Sequence, residues 1–141
     1  NAVIHAQHLV ALVGQRFHNR QQLDLVDGLA TSIVDILLVF LHTGNVVLER
    51  NELFLEDIDW FVLHQANARI VDAVARRLRL DIGKFPMNLQ DYGNTSSASI
   101  PILLNELNRE GVLKKGQKLV LAGFGAGLSW GASVLDWDIT E

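Results

Sequence analysis

The segment Asp59-Trp60-Phe61-Val62-Leu63-His64 is a short apolar and aromatic run behind the acidic residues Glu56, Asp57 and Asp59. That is the pattern of a buried strand, and it puts His64 at the strand's carboxyl end. The period then changes. Ile70, Val71, Val74 and Leu78 fall on one face of a helix predicted over Asn67–Leu80, with Arg69, Asp72, Arg76 and Arg79 opposite. Asn67 is its expected N-cap, because the side-chain oxygen can accept an orphan amide of the first turn. Phe85-Pro86-Met87-Asn88-Leu89 reads as a short extended segment, with Pro86 favouring an edge position. Asp91-Tyr92-Gly93-Asn94 has turn chemistry. Ile100, Leu103, Leu104 and Leu107 repeat at helical spacing and predict a second core-facing helix. Pro101 fits only near its first turn, which places the start around Ser96 to Ser99, and Gly111 ends it.

Lys118 to Phe124 is a continuous apolar strand, as expected of one covered on both faces. Trp130 to Trp137 is another, so Gly123, Gly125 and Gly127 lie in a strand-to-strand connection. A dinucleotide loop needs G-x-G-x-x-G opening a helix, and this spacing and context differ. The amino-terminal third is less informative. Leu23–Leu41 is rich in Leu, Ile and Val around Asp24, Asp27 and Asp35, and suits one helix or a strand and a helix.

The 141 residues suit one domain with a sizeable core. A net charge of −4 argues against general nucleic-acid binding. There is no cysteine, which excludes disulfides and thiolate metal sites and fits the cytoplasm. The greasiest stretch, Leu29–Leu41, contains Asp35 and is too short for about 30 Å of hydrocarbon, so no membrane anchor is expected. A start at Asn1 without Met or a signal-like segment suggests a fragment or a processed chain. His5 and His8 can share a helix face, but without acidic or cysteine partners they make no convincing metal site, and none is expected.

Three motifs carry chemistry: His64-Gln65-Ala66-Asn67-Ala68-Arg69-Ile70, Gly93-Asn94-Thr95-Ser96, and Gly123-Phe124-Gly125-Ala126-Gly127-Leu128-Ser129-Trp130-Gly131. In this order they resemble the carboxy-terminal half of 3-oxoacyl-(acyl-carrier-protein) synthase III, a condensing enzyme of the thiolase fold. The resemblance is close from about Leu55 to Trp137 and fades upstream of about Arg50. It implies an α/β fold, half of a thiolase-type layered architecture with a mixed sheet and packed helices. It divides the chain into a divergent or disrupted segment, 1–50, and a carboxy-terminal domain, 51–141. Thr43-Gly44-Asn45 resembles the family's turn into a long helix, for which Val46 to Glu56 leaves too little chain.

The resemblance also assigns roles. Family members work with a Cys-His-Asn triad, of which this chain supplies His64 and Asn94. A neutral imidazole and a side-chain amide can each donate to a thioester carbonyl and stabilise the enolate left when malonyl loses carbon dioxide. Phe124 matches a residue lining the malonyl pocket, and the backbone amide of Ala126 matches a donor of a second oxyanion hole. Asn67 matches a contact of the pantetheine arm. Arg69, with Arg76 and Arg77, forms a basic face for acidic acyl carrier protein. On a generic helix such a face is simply solvated, and Asn94 beside Gly93 suits a cap equally well. Ser96, Ser97 and Ser99 have no visible base and so do not replace the cysteine.

The implied activity is that of an acyltransferase condensing acyl-coenzyme A with malonyl carrier protein in fatty acid synthesis. Coenzyme A or phosphopantetheine thioesters enter as substrates, and no further cofactor is expected. The implied assembly is a homodimer or a pairing with a cysteine-bearing half. Two alternatives stay open: a fragment of a polyketide or chalcone-synthase-like condensing enzyme, and a non-catalytic carrier-binding or dimerisation module.

Overall fold

The computed structural model describes residues 10–14, 42, 44–125 and 129–139. The Leu23–Leu41 stretch, His5, His8, His18 and Ala126 lie outside them. In chain order, strand β1 (Val10–Gly14) is followed by a helical stretch α1 (44–50), strand β2 (Trp60–Leu63), helices α2 (Ala68–Leu78), α3 (Leu89–Tyr92) and α4 (Ser99–Arg109), and strands β3 (Lys118–Gly125) and β4 (Ser129–Asp136). The four strands form one mixed sheet in the order β1-β4-β3-β2. β2 runs parallel to β3, with Trp60 opposite Leu119 and Leu63 opposite Ala122. β4 is antiparallel to both β3 and β1. A parallel pair needs a long crossover, and the segment from His64 to Gln117 supplies it with three helices.

Strand alternation divides the core between the two sheet faces. Phe61, Leu63, Val120, Ala122, Ala132 and Val134 face one cluster, closed by Ile70, Val71, Val74 and Ala75 of α2 and by Val47 and Leu48 of α1. Val62, Leu119 and Leu135 face the other, closed by Leu103 and Leu107 of α4 together with Leu113 and Trp137. Helices on both faces explain why β3 is apolar without a break. The architecture is an α/β layered arrangement.

Asn67 caps α2, its side chain accepting from the Arg69 amide at 2.9 Å. The helix stops at Leu78, two residues short of the predicted end, because Arg79 turns left-handed at φ 57°. α4 follows a 3-10 turn, Ser96–Ala98, so Pro101 falls in its first turn. It ends as predicted, with Gly111 at φ 65° and its amide on Asn108.

Two local expectations are corrected. No strand forms over Phe85–Leu89: a 3-10 turn, Ile82–Lys84, capped by Asp81 on the Gly83 amide, leads into an irregular stretch and then α3. The ring of Phe85 is instead buried and stacked on Phe61, 4.9 Å between centroids. Asp91 and Tyr92, expected in a turn, belong to α3, which ends at Gly93. Gly44 and Asn45, expected where a turn opens a helix, begin the helical stretch of α1; Thr43 lies outside the described residues.

Candidate active site

The chain's first site residue is placed by the sheet. The His64 amide donates to the Ala122 carbonyl at 2.8 Å, extending the parallel ladder one residue beyond β2. Its imidazole then leaves the sheet at the carboxyl ends of β2 and β3, where open α/β sheets present their chemistry. The ring meets Phe124 edge to face, 5.5 Å between centroids. Its Nδ1 lies 2.7 Å from the Ser99 hydroxyl at the start of α4. Among the described residues its Nε2 has no hydrogen-bond partner.

The bend after His64 is held from inside. Gln65 is wholly buried, donates from Nε2 to the Leu63 carbonyl at 2.9 Å and accepts at Oε1 from the Asn88 amide at 3.3 Å. Asn88 in turn donates from Nδ2 to Glu106 at 2.8 Å. These bonds tie the histidine loop, the segment before α3 and helix α4 into one polar network. Buried amides of this kind are costly unless paired, and here the side-chain partners fix the backbone direction.

A cleft of about 450 Å³ opens over these strand ends. Its walls include His64, Ser99, Ile100, Phe124, Trp130 and Ser96. His42 stands edge-on to Trp130 with 6.3 Å between ring centroids. Gly123 forms part of the floor, and a Cβ there would meet the His64 Cβ at 3.6 Å. Burial pushes the imidazole of His64 below its ordinary pKa of 6.5, because a charged ring would lose hydration in the cleft. Near neutral pH the ring is therefore uncharged.

Asn94 is placed by a constrained loop. Gly93 has φ 64° and ψ −158°, a conformation essentially reserved for glycine. Ser96 also has positive φ, at 55°. Asn94 Oδ1 accepts from the Ser96 amide at 2.9 Å, which leaves the Nδ2 hydrogens as what the residue has to offer. The side chain is exposed and lies outside the lining of the cleft, whereas Ser96, two residues on, lines it. Asn94 thus closes an Asx turn in this structure, outside the lining of the cleft.

Phe124 lies where the sequence places it, against His64; Ala126 is outside the described residues. Asn67 is at the start of α2 and its oxygen is engaged in capping. Arg69, Arg76 and Arg77 line one exposed surface of α2 together with Asp72 and Ala73. Arg76 reaches Asp72 at 3.5 Å, a solvent-exposed pair of little energetic consequence.

One expectation about the serines is corrected. Ser99 does have a base beside it, since its hydroxyl is in contact with His64 Nδ1. It is 2% exposed, however, which is a poor situation for a nucleophile. Sequence reasoning missed this contact because the residues are 35 apart and no periodic pattern joins them. Among the described residues no group of three or more His, Asp or Glu side chains is placed to hold a metal ion. No helix there is long and apolar enough to cross a membrane.

The model of the family described as 3-Oxoacyl-[acyl-carrier-protein (ACP)] synthase III C terminal matches residues 48–137. The beta-ketoacyl-[acyl-carrier-protein] synthase III of Clostridium acetobutylicum is 53% identical over 99 residues, covering 70% of this chain and 30% of the relative. That of Porphyra umbilicalis is 55% identical over 83 residues, covering 59% of this chain and 26% of the relative. The crystal structure of the synthase III from Pseudomonas aeruginosa PAO1 aligns with a TM-score of 0.78 at 34% identity, over 93% of this chain and 44% of that one. The synthase III from Aquifex aeolicus VF5 aligns with a TM-score of 0.70 at 39% identity, over 72% and 33%. The chain therefore spans under a third of these two curated relatives' lengths.

Proposed function

The chain belongs to the 3-oxoacyl-[acyl-carrier-protein] synthase III family through its carboxy-terminal region and has the family's thiolase-type fold, and from that premise we propose that it is the malonyl-activating part of a condensing acyltransferase of fatty acid synthesis. The observation that carries this reading is the His64 imidazole at the strand ends, with Nε2 without a protein partner among the described residues and Phe124 against its ring.

The chemistry follows from the donors. A malonyl thioester bound in the cleft sets its carbonyl oxygen against the imidazole N–H, and the Asn94 amide supplies a second bond once its loop turns inward. Breaking the bond to the carboxylate releases carbon dioxide and sends the electron pair onto that oxygen as an enolate. The His64 donor, already in place at the cleft, stabilises the developing charge without reorganising. In the complete reaction the enolate carbon attacks an acyl thioester held on a cysteine and expels the thiolate. These 141 residues contain no cysteine, so on their own they end the sequence by protonating the enolate to an acetyl thioester. We assign Phe124 to the malonyl pocket, the backbone amide of Ala126 to a second oxyanion hole, Asn67 to the pantetheine arm, and Arg69, Arg76 and Arg77 to an acidic carrier protein. We place the chain in the cytoplasm, working as a homodimer or paired with a cysteine-bearing half.

The test is release of carbon dioxide from a malonyl thioester by the full chain. His64→Ala lowers the rate by roughly 100- to 1000-fold if the donor acts on the enolate. An unchanged rate would falsify this reading. The exposed Arg69, Arg76 and Arg77 surface of α2 favours one second reading, a carrier-protein-binding module without catalysis. That reading predicts carrier binding that survives His64→Ala, with no decarboxylation in either form.

A further inference from the structure

Ser99 sits at the first position of α4 and is 2% exposed. Its hydroxyl oxygen meets two nitrogens: the backbone amide of Gln65 at 3.2 Å and Nδ1 of His64 at 2.7 Å. The amide has no alternative to donating. The hydroxyl has one hydrogen, and the neutral ring has one as well.

Two arrangements are conceivable, and they differ in what they leave unpaired. With the ring proton on Nδ1, Ser99 accepts both bonds, and its own buried hydrogen finds no acceptor among the described residues. With the ring proton on Nε2, Gln65 N–H donates to Oγ, Oγ–H donates to Nδ1, and every polar group buried at this contact is paired. Buried polar hydrogens are rarely left without partners, so the second arrangement wins. The position of the Gln65 amide is itself fixed, because the buried Gln65 side chain is bonded to Leu63 and accepts from Asn88.

We propose that Ser99 is a positioning residue that sets the tautomer of His64, holding the ring proton on Nε2 and presenting it to the cleft. The opposite tautomer would offer a bare Nε2, which accepts and cannot stabilise an enolate oxygen. Ser99 is therefore no substitute nucleophile: its oxygen is buried, and its hydrogen is committed to Nδ1. The catalytic meaning rests on the function proposed above, but the tautomer is a property of the free protein and is measurable without substrate.

The experiment is long-range proton–nitrogen correlation on the 15N-labelled full chain near neutral pH, with the His64 signals assigned by their loss in His64→Gln. In the unmodified chain His64 shows a bare Nδ1 and a protonated Nε2. Ser99→Thr, which keeps a hydroxyl, preserves that pattern. Ser99→Ala reduces the ratio of the two tautomers by roughly five- to tenfold, as expected for loss of one hydrogen bond. A protonated Nδ1 in the unmodified chain overturns the proposal, and so does an unaltered ratio in Ser99→Ala. Should Ser99→Ala fail to fold, the unmodified chain and Ser99→Thr still decide the matter. A fixed Nε2–H tautomer in a chain whose malonyl decarboxylation ignores His64→Ala would leave the positioning role standing and remove the catalytic one.

Discussion

At His64 the protonation state follows from place: the ring is in the cleft, and burial alone lowers its pKa below 6.5. The sign of the resulting pH dependence is fixed. As pH falls through about 6.5 the unfolded chain takes up a proton that the native ring refuses, so stability falls with acidification across that window. It levels off below the native pKa, and above 6.5 the group contributes nothing. Urea unfolding at about pH 7.5 and about pH 5.5 checks this, since the loss of midpoint on acidification should be smaller in His64→Gln than in the unmodified chain. An equal loss would mean that the ring titrates normally. His64 itself was legible, because the apolar run Trp60–Leu63 ends on it. What orients the ring was not, because Ser99 approaches from another element 35 residues later. Asn94 shows a different gap: its sequence context allows a turn or cap residue and a catalytic amide, and the structure displays the turn.

At the scale of elements, helical periodicity was a good guide wherever one face met the sheet. The apolar stripes of α2 and α4 became the lids of the two core clusters. The pattern misled between the helices, where Phe85–Leu89 looked like a strand. Tertiary contacts override local preference there: Phe85 stacks on Phe61, and Asn88 is held by Gln65 and Glu106. α4 matters most for the site, since its first residue is Ser99 and its buried face carries Leu103, 2% exposed. Leu103→Ala should cost about 2–5 kcal/mol of unfolding free energy, the usual range for deleting a buried leucine side chain. Denaturant titration measures it. A cost below about 1 kcal/mol would show that α4 does not close the core as described.

The whole molecule places a small number of polar groups at the end of a sheet whose two faces are both covered. β1 lies upstream of the region matched by the family and still completes that sheet by pairing with β4. Charge is distributed unevenly: the chain is acidic overall at −4, yet Arg69, Arg76 and Arg77 share one exposed surface of α2. In the proposed docking, an acidic carrier protein approaching this surface is steered by charge, and salt weakens that steering. Arg69→Glu should therefore weaken carrier binding by about tenfold or more at low salt, with the gap closing towards about 0.5 M salt. Calorimetry that finds no difference between the two chains removes the docking role.

In the proposed function His64 and Asn94 serve the same carbonyl oxygen, although Asn94 lies outside the lining of the cleft in this structure. A mutant cycle on malonyl decarboxylation measures whether they act together, comparing His64→Ala, Asn94→Ala and the double variant with the unmodified chain. Residues acting as a unit are strongly non-additive. Each single variant should lose most of the rate, and the double variant should lose little more than either one. Costs that simply multiply, or an Asn94→Ala chain as fast as the unmodified one, would contradict a shared oxygen.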